Sequence, residues 1–331
     1  MADPDKLHKQ HDKLFHAAFS SAESAAALIK SLLPGKLAEQ IDFTTLQPRS
    51  TKLTGPHLEE GHSDFLFTAK LRGREVWLYV LLEHQSVNDP FMVARMLLYV
   101  ALTVVGYIRD AAKNKAPVSC LPFVLPIVVH HSERGWTAAT KFEDVLDPEV
   151  LKLEELHRYI PRFEILLDDI SKTSDEELLA RGLAALQTLA LWVLRDARNP
   201  ERFMSHLASF AELMESLAKD PSGRQALGLL MRYITAVFGE EKTEELRTKL
   251  KELAPAAEEA MLTIAEAWEQ KGHAKGRTAG HREVIELQLT QKFGPLTESI
   301  IARLQTATEE DLVQYIGRIL NAERLEEVFE S

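Results

Sequence analysis

Val76-Trp77-Leu78-Tyr79-Val80-Leu81-Leu82-Glu83-His84-Gln85 is the stretch on which the fold turns. Seven apolar residues lead without interruption into an acid and an amide. A short apolar run predicts a strand, and the lack of alternation predicts one covered on both faces. Glu83 and Gln85 are two apart, so strand alternation puts them on one face. Upstream lies His62-Ser63-Asp64-Phe65-Leu66-Phe67, a second strand-like segment, and Arg72-Gly73-Arg74 reads as the hairpin connection between the two. Such a hairpin can bring Asp64 and Glu83 together. Acids at strand ends are usually solvated, but Glu83 follows an apolar run on a central strand, where an unpaired carboxylate is costly.

Two converging carboxylates suit a divalent cation. Mg²⁺ takes oxygen ligands and keeps several waters, so two or three protein ligands suffice. Asp64 and Glu83 offer two, and the backbone carbonyl of His84 offers a third. The Gln85 amide is placed to orient an attacking water. Hydrolysis of a phosphodiester needs a polarised phosphate, an activated water and a stabilised leaving oxygen. One or two Mg²⁺ ions, or Mn²⁺ in their place, supply all three.

Residues 12–33 carry Phe15, Phe19, Ala22 and Ala26 at helical spacing, which predicts a helix stopped by Pro34-Gly35. Residues 41–48 alternate as a strand, and 63–71 and 75–84 form the hairpin. Asp89 as N-cap and Pro90 at the first helical position open a helix over 90–112. Residues 123–129 predict another buried strand, followed by His130 and His131, and 159–167 a last one. Helix, three strands, helix, strand predicts an α/β fold, with a mixed sheet flanked by helices. From about residue 172 strand signals vanish. Helices are expected over 174–196, 200–219, 223–238, 242–252 and 255–281, then over 282–293, 296–306, 309–319 and 322–330. The expected division is a sheet-containing domain over 1–170, a helical region over 171–281 and a small helical unit over 282–331.

Composition narrows the function classes. The chain has 331 residues, 45% of them apolar, which is enough for a sizeable core. The formal charge of −11 excludes a protein coated in basic surface, so a nucleic-acid partner would need a local basic patch or bound cations. The single cysteine, Cys120, rules out a disulfide framework or a cysteine-rich zinc site. The N-terminus is polar and lacks the apolar stretch of a signal peptide. Residues 91–108 are the most membrane-like but contain Arg95, and a buried core helix is expected there. A soluble cytoplasmic protein with no membrane partner is the expectation. Gly-x-Ser-x-Gly, a phosphate-binding glycine loop and His-Glu-x-x-His are all missing.

Ser63-Asp64, a hairpin and then Glu83-His84-Gln85-Ser86 resemble the Rpn group of recombination-promoting nucleases, which are also called transposase-like and belong to the PD-(D/E)XK nuclease superfamily. The resemblance extends to His11-Asp12-Lys13-Leu14-Phe15, to Arg95 through Tyr99, to Pro126-Ile127-Val128-Val129-His130-His131, and weakly to Ala265 through Gly272. It implies a restriction-endonuclease-like core, a Mg²⁺-dependent DNA endonuclease linked to recombination or mobile DNA, and Asp64 and Glu83 as metal ligands. Gln85 falls where the wider superfamily usually has lysine, so a dipole stands where most relatives place a full charge. The tail from Phe293-Gly294-Pro295-Leu296 onward resembles a small C-terminal domain of unknown function found on bacterial chains.

Other residues carry two readings each. Asp12 is a third acid for the metal or a helix N-cap beside His11. Arg95 pairs with a site carboxylate or phosphate, or else forms a structural ion pair. His130 and His131 touch substrate or, as the preferred reading, are partly exposed and without a metal role. Gly272, Gly276 and Gly280 recur every four residues within a basic run, which suits DNA-backbone contact, helix pairing in a homo-oligomer, or a plain connector. The rival to the nuclease is a catalytically weak or inactive module of the same fold that binds DNA or protein.

Overall fold

The computed structural model describes residues 4–49, 65–72 and 74–329, with side chains left out at 4–8, 74–85, 240 and 264–276. It divides into two compact units, Met1–Met261 and Leu262–Ser331.

The first unit is built on a five-stranded sheet of order β1-β2-β3-β4-β5, with β1 Ile41–Arg49, β2 Phe65–Leu71, β3 Arg74–Gln85, β4 Phe123–His130 and β5 Leu166–Asp169. The first three strands form an antiparallel meander, and β4 and β5 then add in parallel. The last strand overlaps the 159–167 expected for it only at Leu166 and Leu167. β1 is an edge strand, which tolerates Pro48 because that residue has no ladder hydrogen to give. Between Asp42 and Gln47 the register shifts. There the Thr45 hydroxyl donates to the Asp42 carbonyl and accepts from the Lys70 amide at 2.9 Å, replacing a lost ladder bond.

Helices cover both faces of this sheet. α1 Pro4–Phe19 and α2 Ala22–Leu32 replace the single helix expected over 12–33. The break comes at Ser20-Ser21, because the Ser21 side chain accepts the Ser24 amide at 3.1 Å and caps a new helix. One turn, α3 Gly35–Ala38, leads into β1. α4 Met92–Lys113 links β3 to β4. It starts later than expected: Asp89 binds the Phe91 amide at 2.9 Å and Phe91 is the N-cap. α5 Glu154–His157 lies in the connection before β5.

Strand alternation separates two apolar layers. Phe65, Phe67, Ile127 and Val129 join the core with α1 and α2, whereas Leu66, Val124 and Val128 pack with Met92, Val93, Met96 and Tyr99 of α4.

The helical half begins with α6 Asp175–Leu179 and α7 Ala185–Asp196, where one helix over 174–196 was expected. The chain turns between them through Gly182, whose φ of +67° suits glycine. α8 Pro200–Leu217, α9 Pro221–Phe238 and α10 Glu240–Leu253 follow. Every residue from Leu189 to Leu194 is buried, and Trp192 stacks between Phe203 and Phe210 at 4.2 and 4.5 Å. One apolar cluster runs from Leu14 to Met261, so the sheet and these helices share a core across the compositional change near residue 170.

At the end of α7, Arg195 is fully buried and donates to Asp196, to Asp175 and to the Thr173 carbonyl at 2.5 to 2.8 Å, tying α7 to α6. Burial opposes its charge, yet the two carboxylates raise its pKa above the ordinary arginine value.

α11 Pro255–Phe293 is continuous, without the break expected near 281, and runs across the boundary between the units. In the second unit it is followed by α12 Glu298–Thr306, α13 Glu309–Ile319 and α14 Leu325–Phe329. Ile285, Leu289, Leu304, Leu312 and Val328 form the core of that unit. Arg277 pairs with Glu309, and Arg282 donates to the Ala307 carbonyl at 3.1 Å, so two cations of the basic run hold their own unit together.

Truncating Trp192 to alanine should cost about 3–5 kcal/mol of stability, read from the urea midpoint. Asp196→Ala should cost a similar amount, about 3–5 kcal/mol, because it removes one of the two carboxylates that hold the buried Arg195 charge.

Candidate functional site

Because β3, β4 and β5 are parallel, their carboxyl ends meet at one edge of the sheet, the usual place for a site in such an arrangement. Glu83, His84 and Gln85 end β3, and their backbones pair with Val128, Val129 and His130. Asp168 and Asp169 end β5, opposite Val129 and His130. Asp64 lies outside the described residues. The residue after it, Phe65, pairs with Leu82, the residue before Glu83. The side chains of Glu83, His84 and Gln85 also lie outside the description. Asp12 is half-buried on α1 beside His11. Arg95 forms an ion pair with Asp89 at 2.8 Å, close to the start of its own helix.

The described side chains at this edge centre on His11 and Arg198. His11 is fully buried on α1. Its Nε2 lies 2.9 Å from Nη2 of Arg198, and its Nδ1 lies 2.5 Å from the Tyr233 hydroxyl. A guanidinium only donates, so Nε2 must accept, and the ring is the neutral tautomer with its proton on Nδ1. That proton is directed at the Tyr233 oxygen. Tyr233 comes from α9, and its burial raises its pKa far above the ordinary range, keeping the phenol neutral.

Arg198 follows the end of α7. Its Nη1 donates at 3.0 Å to the carbonyl of Ser86, the residue after Gln85. Its Nε is buried and has no acceptor among the described residues. Burial lowers its pKa from the ordinary arginine value. Its two hydrogen-bond partners, a carbonyl and an imidazole, are both neutral. The charge therefore stands at the end of β3 with no carboxylate bonded to it among the described residues.

His130 and His131 are fully buried, not partly exposed as expected. His130 reaches the Ser132 hydroxyl at 2.9 Å and meets Trp136 edge-on, while His131 packs edge-on against His11 at 4.8 Å between ring centres. Both are enclosed because α1 and the loop after β4 close over the strand end.

That loop is braced from two sides. The Asn88 side chain donates to the Gly135 carbonyl at 2.8 Å and accepts the Thr137 amide at 2.9 Å. Asp169 accepts the Trp136 amide at 2.7 Å. Gly135 has φ +76°, and a Cβ there would fall 2.8 Å from Lys172 and 3.0 Å from Asp169. The loops after β3 and β4 are thus one hydrogen-bonded assembly.

Asp175, Asp196 and His206 also converge closely enough to hold a metal ion. Arg195 already fills that position, with Nη2 at 2.5 Å from Asp175, 2.6 Å from Asp196 and 2.9 Å from His206. Arg202 adds a second cation on Asp196 at 2.9 Å. The acids here are neutralised by arginine, and the group is an ion cluster of the fold.

Sequence reading passed over Arg198 and Tyr233. They stand 187 and 222 residues from His11, and no local pattern announces contacts of that separation.

Comparison with known proteins places the chain in a family. The recombination-promoting nuclease RpnD of Escherichia coli O157:H7 is 26% identical over 259 residues, covering 77% of this chain and 92% of that protein. RpnA of Escherichia coli K12, also named a recombination-promoting nuclease, is 25% identical over 264 residues, 79% of this chain and 84% of its own. RpnE of the same strain is named an inactive recombination-promoting nuclease-like protein and is 22% identical over 304 residues, 91% and 96% of the two chains. No solved structure gives a significant match. The model of the family described as "Putative transposase, YhgA-like" matches residues 9–225, a span that holds His11, the three parallel strands and Arg198. The chain belongs to that YhgA-like family, whose relatives include the Rpn recombination-promoting nucleases.

Proposed function

We propose that this chain is a divalent-metal-dependent DNA endonuclease with a restriction-endonuclease-like core, acting in recombination or on mobile DNA. The observation that carries the reading is the hairpin register. Its last described pair at the site edge is Phe65 with Leu82, and the sequence neighbours of that pair are Asp64 and Glu83. The donors offered there are carboxylates and the His84 carbonyl, hard oxygen ligands that fit Mg²⁺ or Mn²⁺. Asp64, Glu83 and His84 would hold the ion, which when bound polarises a phosphoryl oxygen and lowers the pKa of water. Gln85 orients the attacking water. Arg198 supplies the full positive charge that Gln85 lacks: its guanidinium is anchored on Ser86, next to Gln85, and its charge faces the substrate phosphate. A fixed cation in a water-poor site stabilises developing negative charge far better than one in bulk water.

A second reading is a module of this fold that binds nucleic acid or protein without cutting. The naming of RpnE as inactive favours it, as does the absence of lysine at Gln85.

Plasmid nicking separates the two. The nuclease reading expects cleavage with Mg²⁺ and none with EDTA, and a loss of roughly a hundredfold or more in Asp64→Ala and Glu83→Gln. Equal cleavage by Asp64→Ala and the unaltered chain would sink it. DNA retention without cleavage, unchanged by Glu83→Gln, would establish the binding module instead. Arg198→Ala should lose roughly a hundredfold in rate, with Arg198→Lys recovering part of it at an equal melting temperature. A loss that follows the melting temperature alone would make Arg198 structural.

A further inference from the structure

The outward face of α4 carries an apolar strip that the rest of the described fold leaves open. Met92, Val93, Met96, Tyr99 and Thr103 are buried on its inner face. On the opposite face Phe91, Leu98, Val105 and Ile108 are 63, 49, 40 and 43% exposed. Ala101 is exposed and Ala94 half-buried between them. The helix expected to be core is therefore core on one side only. Phe91, Ala94, Leu98, Ala101, Val105 and Ile108 follow the alternating three-and-four spacing of a coiled-coil seam, with no polar residue in it. The strip is about 27 Å long, and apolar surface of this extent marks an interaction site.

The strip is complementary to itself. Setting Leu98 of one copy against Ala101 of a second, with the helices antiparallel, also sets Ala94 against Val105 and Phe91 against Ile108. Large side chains meet small ones in the central layers, and the bulkiest pair falls at the ends. Asp89 then comes beside Arg109 of the other copy, twice by symmetry.

We propose that α4 is the seam of a homodimer, in which two copies pack antiparallel along this strip at the shallow crossing angle of coiled coils. The main rival is a lipid surface, because α4 is also the one described helix long and apolar enough to cross a membrane. A lipid leaflet cannot reproduce the antiparallel match of large to small side chains, nor the approach of Asp89 to Arg109 at each end of the strip, which leaves the second copy as the better occupant. The seam lies in the first unit, apart from the glycine-spaced helix on which sequence reading placed self-association.

Sedimentation equilibrium of the full chain tests this. The monomer is 37.3 kDa, and a species of twice that mass is expected. Leu98→Glu and Ala101→Lys, both at exposed positions, should each weaken the dimer roughly a hundredfold or more, with unchanged circular dichroism and melting temperature. Because position 98 of one copy faces position 101 of the other, combining the two substitutions sets an acid against a base across the seam and should restore the dimer. A monomeric unaltered chain, a dimer indifferent to either single change, or a double variant as monomeric as the singles would overturn the seam. A monomer that pellets with phosphatidylcholine vesicles would give the face to lipid and overturn it as well.

Discussion

The guanidinium of Arg198 is the point on which the site edge depends. It bonds the carbonyl after β3 and the imidazole on α1, and that imidazole in turn holds the phenol of α9. Burying a cation opposes folding, and neutral acceptors offset that cost only in part. The helical layer absorbs the difference: the stacked Trp192 and the buried Leu189–Leu194 run hold α7 in place regardless of what its last turn must carry. Among the described residues the hydrogen-bond partners of Arg198 are a carbonyl and an imidazole, not a carboxylate, an environment that suits a neighbouring anionic ligand.

Arg195 makes the contrast, three residues earlier in the chain. It is also buried, yet it is surrounded by Asp175, Asp196 and His206. One arginine is neutralised and consolidates the helices. The other keeps its charge and faces the strand ends. The backbone turn after α7 separates these two environments.

The sheet was legible because each strand carries its own signal. The apolar runs before Glu83 and before His130, and the Arg72-Gly73-Arg74 connection, need no distant partner to be recognised. Breaks in helices were harder. Ser20-Ser21 and Gly182 interrupt segments whose hydrophobic period continues on both sides, and a single serine cap outweighs that period locally. Of the candidate site, Glu83-His84-Gln85 was placed at a strand end, as the structure has it. The burial of His130 and His131 and the part played by Arg198 depend on contacts across most of the chain, which sequence order conceals. Composition marks the 90–112 helix as core, yet composition cannot tell a helix buried on all sides from one with an open apolar face.

The hydrogen bonds from residue 11 to residues 198 and 233 also limit how small a working piece of this protein can be. A fragment ending near residue 170 would retain all five strands but lose Arg198 and Tyr233, which hydrogen-bond His11. The shared apolar cluster would be cut open from Leu189 onward. The shortest piece that keeps the strand-end cluster and its core whole reaches Met261, the boundary of the first unit. Insertions and losses within this lineage are therefore expected to concentrate beyond that residue, where the chain can change without unbuilding the site.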